Sequence, residues 1–173
     1  MKDFLALCVT RFEALEQELN QLDAATGDGD HGATILKGLR AAAAFDDAPE
    51  KAFRKAAGGA SGSLFAQIIA ALDRAADGAP LGAALSQAAD RIAMLGQAKP
   101  GDKTMLDALI PAAAATTLDA AAQAAAKGRD ATRDMPAKRG RAKYVEGAGV
   151  GHIDAGATSV AALLAIFAEW RRM

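Results

Sequence analysis

The chain has 173 residues, 51% of them hydrophobic and 5% aromatic, with a net charge near -1 at pH 7. That length and apolar content exclude a disordered chain and fit one folded domain over residues 1–173. The near-neutral charge gives no global argument for nucleic acid or an anionic membrane, and the single cysteine, Cys8, excludes an internal disulfide framework and a multi-Cys zinc site.

Abundant alanine predicts helix and a core of small, closely packed side chains. The first residues carry no signal-peptide pattern, and no apolar run is long and unbroken enough for a membrane span. A reduced cytoplasmic setting is the resulting expectation. Over residues 2–22, Phe4, Leu5, Cys8, Phe12, Leu15 and Leu19 recur at helical spacing, with Glu13, Glu16 and Glu18 left for solvent. This helix delivers Asp23 to the run Thr26-Gly27-Asp28-Gly29-Asp30-His31-Gly32. A helix end and a tight turn can fold Asp23, Asp28 and Asp30 toward one point. Grouped carboxylates repel unless a cation or proton neutralises them, and oxygen donors suit a hard ion such as Mg²⁺. Asp and Gly are also ordinary turn residues, and Asp30 could simply cap the next helix, so the spacing alone leaves both roles open. The run is not a twelve-residue calcium loop, because the terminal Glu is missing.

A second helix is predicted from His31 to Phe45, its unpaired N–H groups beside the acidic turn and able to receive phosphate. The stripe Asp46-Asp47-Ala48-Pro49 separates it from a short helix over 50–57. Gly58-Gly59-Ala60-Ser61-Gly62-Ser63 then reads as an interruption before a helix carrying Leu64, Phe65, Ile68, Ile69 and Leu72. Its Ser61 suits either a helix cap or a phosphate contact. Pro80 opens a helix through about Leu95, ended by Gly96. A long helix is expected from about Thr104 to Lys127, with Asp102 as N-cap and Pro111 kinking or dividing it. Residues 127–143 carry seven Lys or Arg against Asp130 and Asp134, which suits a solvated face or a positive wall for phosphate. This stretch is short and lacks aromatic platforms apart from Tyr144, which argues against nucleic acid. A glycine-rich segment over 147–156 precedes a last helix from about Ala157 to Arg172. With no β-alternation anywhere, the chain is predicted to be an all-α up-and-down bundle or barrel of about eight helices. Its turn-rich loops would gather at one end.

Four motifs in order, Gly27-Asp28-Gly29-Asp30-His31-Gly32, Gly58-Gly59-Ala60-Ser61-Gly62, Pro100-Gly101-Asp102-Lys103-Thr104-Met105-Leu106-Asp107 and Gly151-His152-Ile153-Asp154-Ala155-Gly156, resemble the nucleotide-binding L subunit, or C-terminal domain, of dihydroxyacetone kinases. The resemblance spans nearly the whole chain. It implies an eight-helix antiparallel barrel holding ATP or ADP at one end, over two Mg²⁺ ions. Asp23, Asp28 and Asp30 match the family's metal ligands and, with Arg141, its catalytic set. His31, Gly32, Ala33 and Thr34 match a first phosphate-binding turn, and Ala60 and Ser61 a second. Gly96 and Met105 resemble parts of the adenosine pocket. Asp154, Ala155 and Gly156 resemble a final nucleotide-binding turn, in which the family usually has proline where this chain has Ala155. Ala148 stands where an arginine is usual, a lost charge for which Arg139 or Lys143 could substitute. Asp102 and Asp107 are expected to shape a helix start, and Lys103 has no assigned role. His31 and His152 could equally brace loops.

In the family the sugar sits on a histidine of a separate K domain, as a hemiaminal. The resemblance therefore implies a kinase of dihydroxyacetone or a related small ketose that acts with a K-type dihydroxyacetone-binding subunit. Its donor would be exchangeable ATP, or retained ADP recharged by a phosphotransferase-system phosphocarrier. Neither nucleic acid nor a membrane is an expected partner. The alternative is a noncatalytic Mg-nucleotide-binding regulatory protein.

Overall fold

The computed structural model describes residues 1–45 and 47–173. Eight α-helices run in order among the described residues: α1 (Lys2–Ala24), α2 (His31–Ala44), α3 (Pro49–Ala57), α4 (Gly59–Ala76), α5 (Leu81–Gly96), α6 (Leu106–Ala113), α7 (Leu118–Ala131) and α8 (Ala155–Trp170). Each helix packs on the next, and α8 returns to α1, so the up-and-down order closes into a ring. No helix among the described residues is long and apolar enough to cross a membrane. The predicted spacer over 46–49 includes Asp46, which lies outside the described residues.

The helices close because their apolar stripes meet inside. Phe4, Phe12, Phe53, Phe65 and Phe167 are fully buried among leucines, isoleucines and alanines. The seam between first and last helices is aromatic: Phe4 meets Phe167 edge-on at 5.2 Å between centroids, and Trp170 packs on both at 5.6 Å. Eleven of the sixteen residues of α8 are buried, as expected of a helix that is apolar nearly all round.

The largest departures from the expected helix boundaries fall in two stretches, and both have local causes. The α4 helix begins at Gly59 rather than near Leu64, because the break is confined to the positive-φ pair Gly58 (φ 68°, ψ -178°) and Gly59 (φ 59°), and Gly62 N already donates to Gly58 O at 2.9 Å. Ser61 therefore lies inside the first turn and is not the cap. The expected long helix over 104–127 is two helices. The first starts at Leu106, so Asp102 is not its N-cap; the N-cap is Met105. The division falls after Ala113, past Pro111, and Thr117 caps α7 by accepting from Ala120 N at 3.2 Å. Pro111 has no N–H for the carbonyl of Asp107. Gly128 of α7 packs against that same oxygen, where a Cβ would lie 2.1 Å away, so α6 and α7 approach closely.

In an up-and-down ring, the loops after α1, α3, α5 and α7 share one end. The first three are short. The fourth, residues 132–154, is a long strap with 3-10 turns at Thr132–Asp134, Ala142–Tyr144 and Glu146–Gly149.

Candidate functional site

At that end the loops enclose a cavity of about 550 Å³, within the range of small-molecule sites. Leu64, Ile92, Gly96, Ala98 and Met105 contribute an apolar lining, whereas Asp23, Asp28, Asp30, Ser61, Lys103 and Arg141 contribute polar and charged groups.

The acidic turn is built around Asp23 in the last turn of α1. Its Oδ2 accepts from Gly29 N at 2.9 Å, Asp30 N at 3.1 Å and His31 N at 3.3 Å. The carboxylate of one helix thus caps the start of the next, and Gly29, at φ 77°, supplies the left-handed residue this reversal needs. Asp30 holds the N-cap position of α2 but makes no side-chain capping bond, leaving its carboxylate to the cavity. One oxygen from each of Asp23, Asp28 and Asp30 lies within 4.8 Å of the other two. The fit to a hard cation follows from that donor set: three carboxylates share one locus without enough charge to balance them. Arg141 reaches across from the strap to pair with Asp28. Hydrogen bonding to Arg141 holds the Asp28 carboxyl below the ordinary carboxylate value, whereas burial, then the charges of Asp28 and Asp23, push Asp30 up.

His31 is buried, with Nε2 2.9 Å from Ser159 Oγ and its ring 5.6 Å from that of Phe65. Burial lowers its pKa and favours the neutral ring. It both lines the cavity and braces α2 against α8. Gly32 and Ala33 do not line the cavity. The α1 helix lies against both: a Cβ on Gly32 would be 2.3 Å from Glu16 O, and Ala33 N donates to Asn20 Oδ1 at 3.2 Å. Thr34, Ala60, Ser61, Gly96, Met105, Asp154, Ala155 and Gly156 all line it. The Ser61 hydroxyl has no hydrogen-bond partner among the described residues, and the start of α4 has no side-chain cap. The free N–H groups there carry the positive end of the helix dipole into the cavity.

Asp154 caps α8, its Oδ2 accepting from Ala157 N at 2.7 Å. Burial pushes its pKa up to about 6 against the opposing effects of that N–H and Lys103. Asp107 accepts from Gly101 N at 2.5 Å and Thr104 N at 2.8 Å, and Asp102 accepts from Lys99 N at 3.1 Å, so both shape the α5–α6 turn. His152 contributes its backbone oxygen to Lys103 and does not line the cavity. Ala148 lies outside the lining, and its carbonyl accepts from Ala137 N at 2.8 Å. Sequence reasoning gave no role to Lys103 or Thr26, which both line the cavity. For Lys103 the sequence shows a lysine within an otherwise turn-forming motif, which marks the position but not its role. Nothing in the sequence marks Thr26.

The family model described as the DAK2 domain matches residues 25–169. The chain is 37% identical to L-erythrulose 1-kinase of Mycolicibacterium smegmatis, across 89% of this chain and 32% of that protein. It is 35% identical to the ADP-binding subunit of the PEP-dependent dihydroxyacetone kinase of Escherichia coli, across 46% of this chain and 44% of that one. The crystal structure of the dihydroxyacetone kinase from C. freundii in complex with AMP-PNP and Mg²⁺ matches with a TM-score of 0.75 at 28% identity, covering 98% of this chain and 33% of that one. The chain spans about a third of the length of the erythrulose kinases it matches. The matched residues run from the acidic turn through most of α8, and the chain belongs to the DAK2 domain family.

Proposed function

We propose that this chain is the nucleotide-holding component of a kinase for dihydroxyacetone or a related small ketose, phosphorylating substrate held by a separate K-type subunit. The observation that carries this reading is the clustering of Asp23, Asp28 and Asp30 within 4.8 Å beside a cavity with an apolar lining. An anionic cluster repels phosphate unless cations intervene, so the donor set suits Mg²⁺, two ions by the family resemblance. Bound there, magnesium offsets phosphate charge and aligns the transferable group.

The remaining work belongs to the chain. Asp23 fixes the turn through its three N–H partners, so the carboxylates are in place before a ligand arrives. The uncapped start of α4, with Ser61, offers hydrogen bonds to phosphate oxygens. Arg141 brings a permanent positive charge to the same end. Leu64, Ile92 and Met105 suit the flat face of a base, and Met105 can adapt to it through its thioether. Relatives named as erythrulose kinases and as an ADP-binding kinase subunit support the reading.

The test begins with the purified chain and the metal and nucleotide it retains. K-type partners are then added with dihydroxyacetone and either ATP or a phosphorylated carrier. Asp28→Asn is expected to weaken Mg²⁺-dependent ADP binding at least tenfold, on the scale of lost metal-site support, while circular dichroism stays unchanged. Unchanged binding in that variant overturns the metal assignment. Saturable nucleotide binding without transfer to any K-type partner would support the noncatalytic regulator instead, a reading favoured by Ala148 at the position where an arginine is usual.

A further inference from the structure

Lys103 is the one buried lysine among the described residues, with 3% of its surface exposed. Its backbone is left-handed at φ 60°, a conformation unfavourable for a residue with a Cβ. Burying an ammonium is also costly unless its protons are satisfied. Nζ donates to Thr132 O and to His152 O, both at 2.5 Å. Those two carbonyls are the two feet of the strap. The feet are also tied directly, by Gly151 N to Arg133 O at 2.8 Å and Asp154 N to Thr132 Oγ1 at 2.9 Å. The neighbouring Asp102 reaches the strap as well: its carbonyl accepts from Lys138 N at 3.1 Å, and its buried carboxylate lies 3.8 Å from Lys138 Nζ and 3.7 Å from Arg139 Nε. Beyond these anchors the strap carries Arg141 to Asp28 and touches the acidic turn where Gly149 meets Thr26.

From this geometry we infer that Lys103 is a positioning residue: its ammonium clamps the two feet of the 132–152 strap and thereby presents Arg141 to the acidic end of the cavity. Thr132 is fully buried, so no solvent can take over its carbonyl when the ammonium is removed. A neutral apolar side chain leaves the neck open by two hydrogen bonds while the helical ring keeps its packing. The effect on nucleotide passes through Arg141 and rests on the Mg-nucleotide reading above. The clamp itself does not.

The experiment pairs amide hydrogen exchange with a double-mutant cycle in Mg-ADP binding. In Lys103→Met without nucleotide, amides of 133–152 are expected to lose protection about tenfold or more, while those of α1 to α5 stay as in the parent. Mg-ADP affinity falls roughly tenfold in Lys103→Met, and Lys103→Met/Arg141→Ala binds no more weakly than Arg141→Ala alone. Lys103→Arg, which can still bridge two carbonyls with a charged group, restores strap protection and most of the affinity. Unchanged exchange of the strap in Lys103→Met overturns the clamp. Equal losses from Lys103→Met with and without Arg141 overturn action through that arginine. Should Lys103→Met not yield folded protein, Lys103→Ala, which likewise has no side-chain donor, is read by the same exchange measurement, with the same expected loss and the same overturning result. A parent chain that binds no Mg-ADP refutes the nucleotide reading, and the exchange arm still decides the clamp.

Discussion

The cavity has two charged walls made in opposite ways. The acidic wall is local: Asp23 holds its own turn through backbone groups of residues 29 to 31. The basic wall is distant: the strap is fastened by Lys103, 29 residues before one foot and 49 before the other. A turn closed within nine residues forms as α1 and α2 pack, whereas a loop of more than twenty residues depends on finished tertiary structure to hold its shape. The first wall therefore fails by losing charge or an acceptor, and the second by losing geometry.

The largest effect is expected at Asp23. Asp23→Ala removes an acceptor for three N–H groups and one of three clustered carboxylates together. Unfolding should become easier by about 2–4 kcal/mol, and Mg-ADP affinity should fall about a hundredfold. Asp23→Asn separates the two roles. Its amide oxygen can still accept from the turn, so most of the stability returns while the metal-dependent binding does not. Thermal denaturation and calorimetric titration of the pair measure the split, and equal recovery of both in the asparagine variant breaks the comparison.

This contrast also explains what the sequence could disclose. The acidic turn was legible because its ligands, its glycines and its helix ends are neighbours in the chain. The ring of helices was legible from periodic leucines and phenylalanines. Helix starts were less so: Gly58 to Ser63 looks like one interruption, yet the positive-φ pair Gly58 and Gly59 suffices to break the chain and α4 resumes at once. Pro111 looks like the dividing point, but its missing N–H is accommodated at the contact with Gly128, and the helix ends later. Gly32 and Ala33 share a motif with His31 but are turned toward α1, because a helix start exposes only part of its circumference to any one cavity. The role of Lys103 was not legible, since its partners are carbonyls, which every residue has.

The middle-sized effect lies where the walls touch. Gly149 sits at φ 70°, and a Cβ there would meet Thr26 Cγ2 at 2.9 Å and Lys103 Cε at 3.3 Å. Gly140 sits at φ 67° with nothing within 4 Å. Both alanine variants carry the left-handed penalty of about 1 kcal/mol, but only Gly149→Ala must also push the strap off the acidic turn. Mg-ADP affinity should drop about tenfold in Gly149→Ala and no more than about threefold in Gly140→Ala, a difference of about 0.7 kcal/mol or more. Equal losses in the two would mean that the strap's shape, and not its contact with the turn, sets affinity.

The smallest effect is a pH dependence at Asp154, where the strap ends and α8 begins. Burial raises the folded-state pKa from 3.8 to about 6, outweighing the Ala157 N–H and the Lys103 charge that lower it. The folded chain therefore binds this proton more tightly than the unfolded chain. The stability so gained is present below about pH 4 and is lost as pH rises to about 6. A shift of that size corresponds to ~3 kcal/mol at most. Asp154 is only half-buried against the cavity, so solvent screening leaves on the order of 1 kcal/mol. Asp154→Asn keeps a capping oxygen for Ala157 N without the titration. In urea unfolding at pH 4 to 7, the variant should gain about 1 kcal/mol on the parent across that window and hold the difference above it. A gain for the parent as pH rises would show that Lys103 stabilises the carboxylate more than burial penalises it. That outcome would make the lysine a counter-ion as well as a clamp.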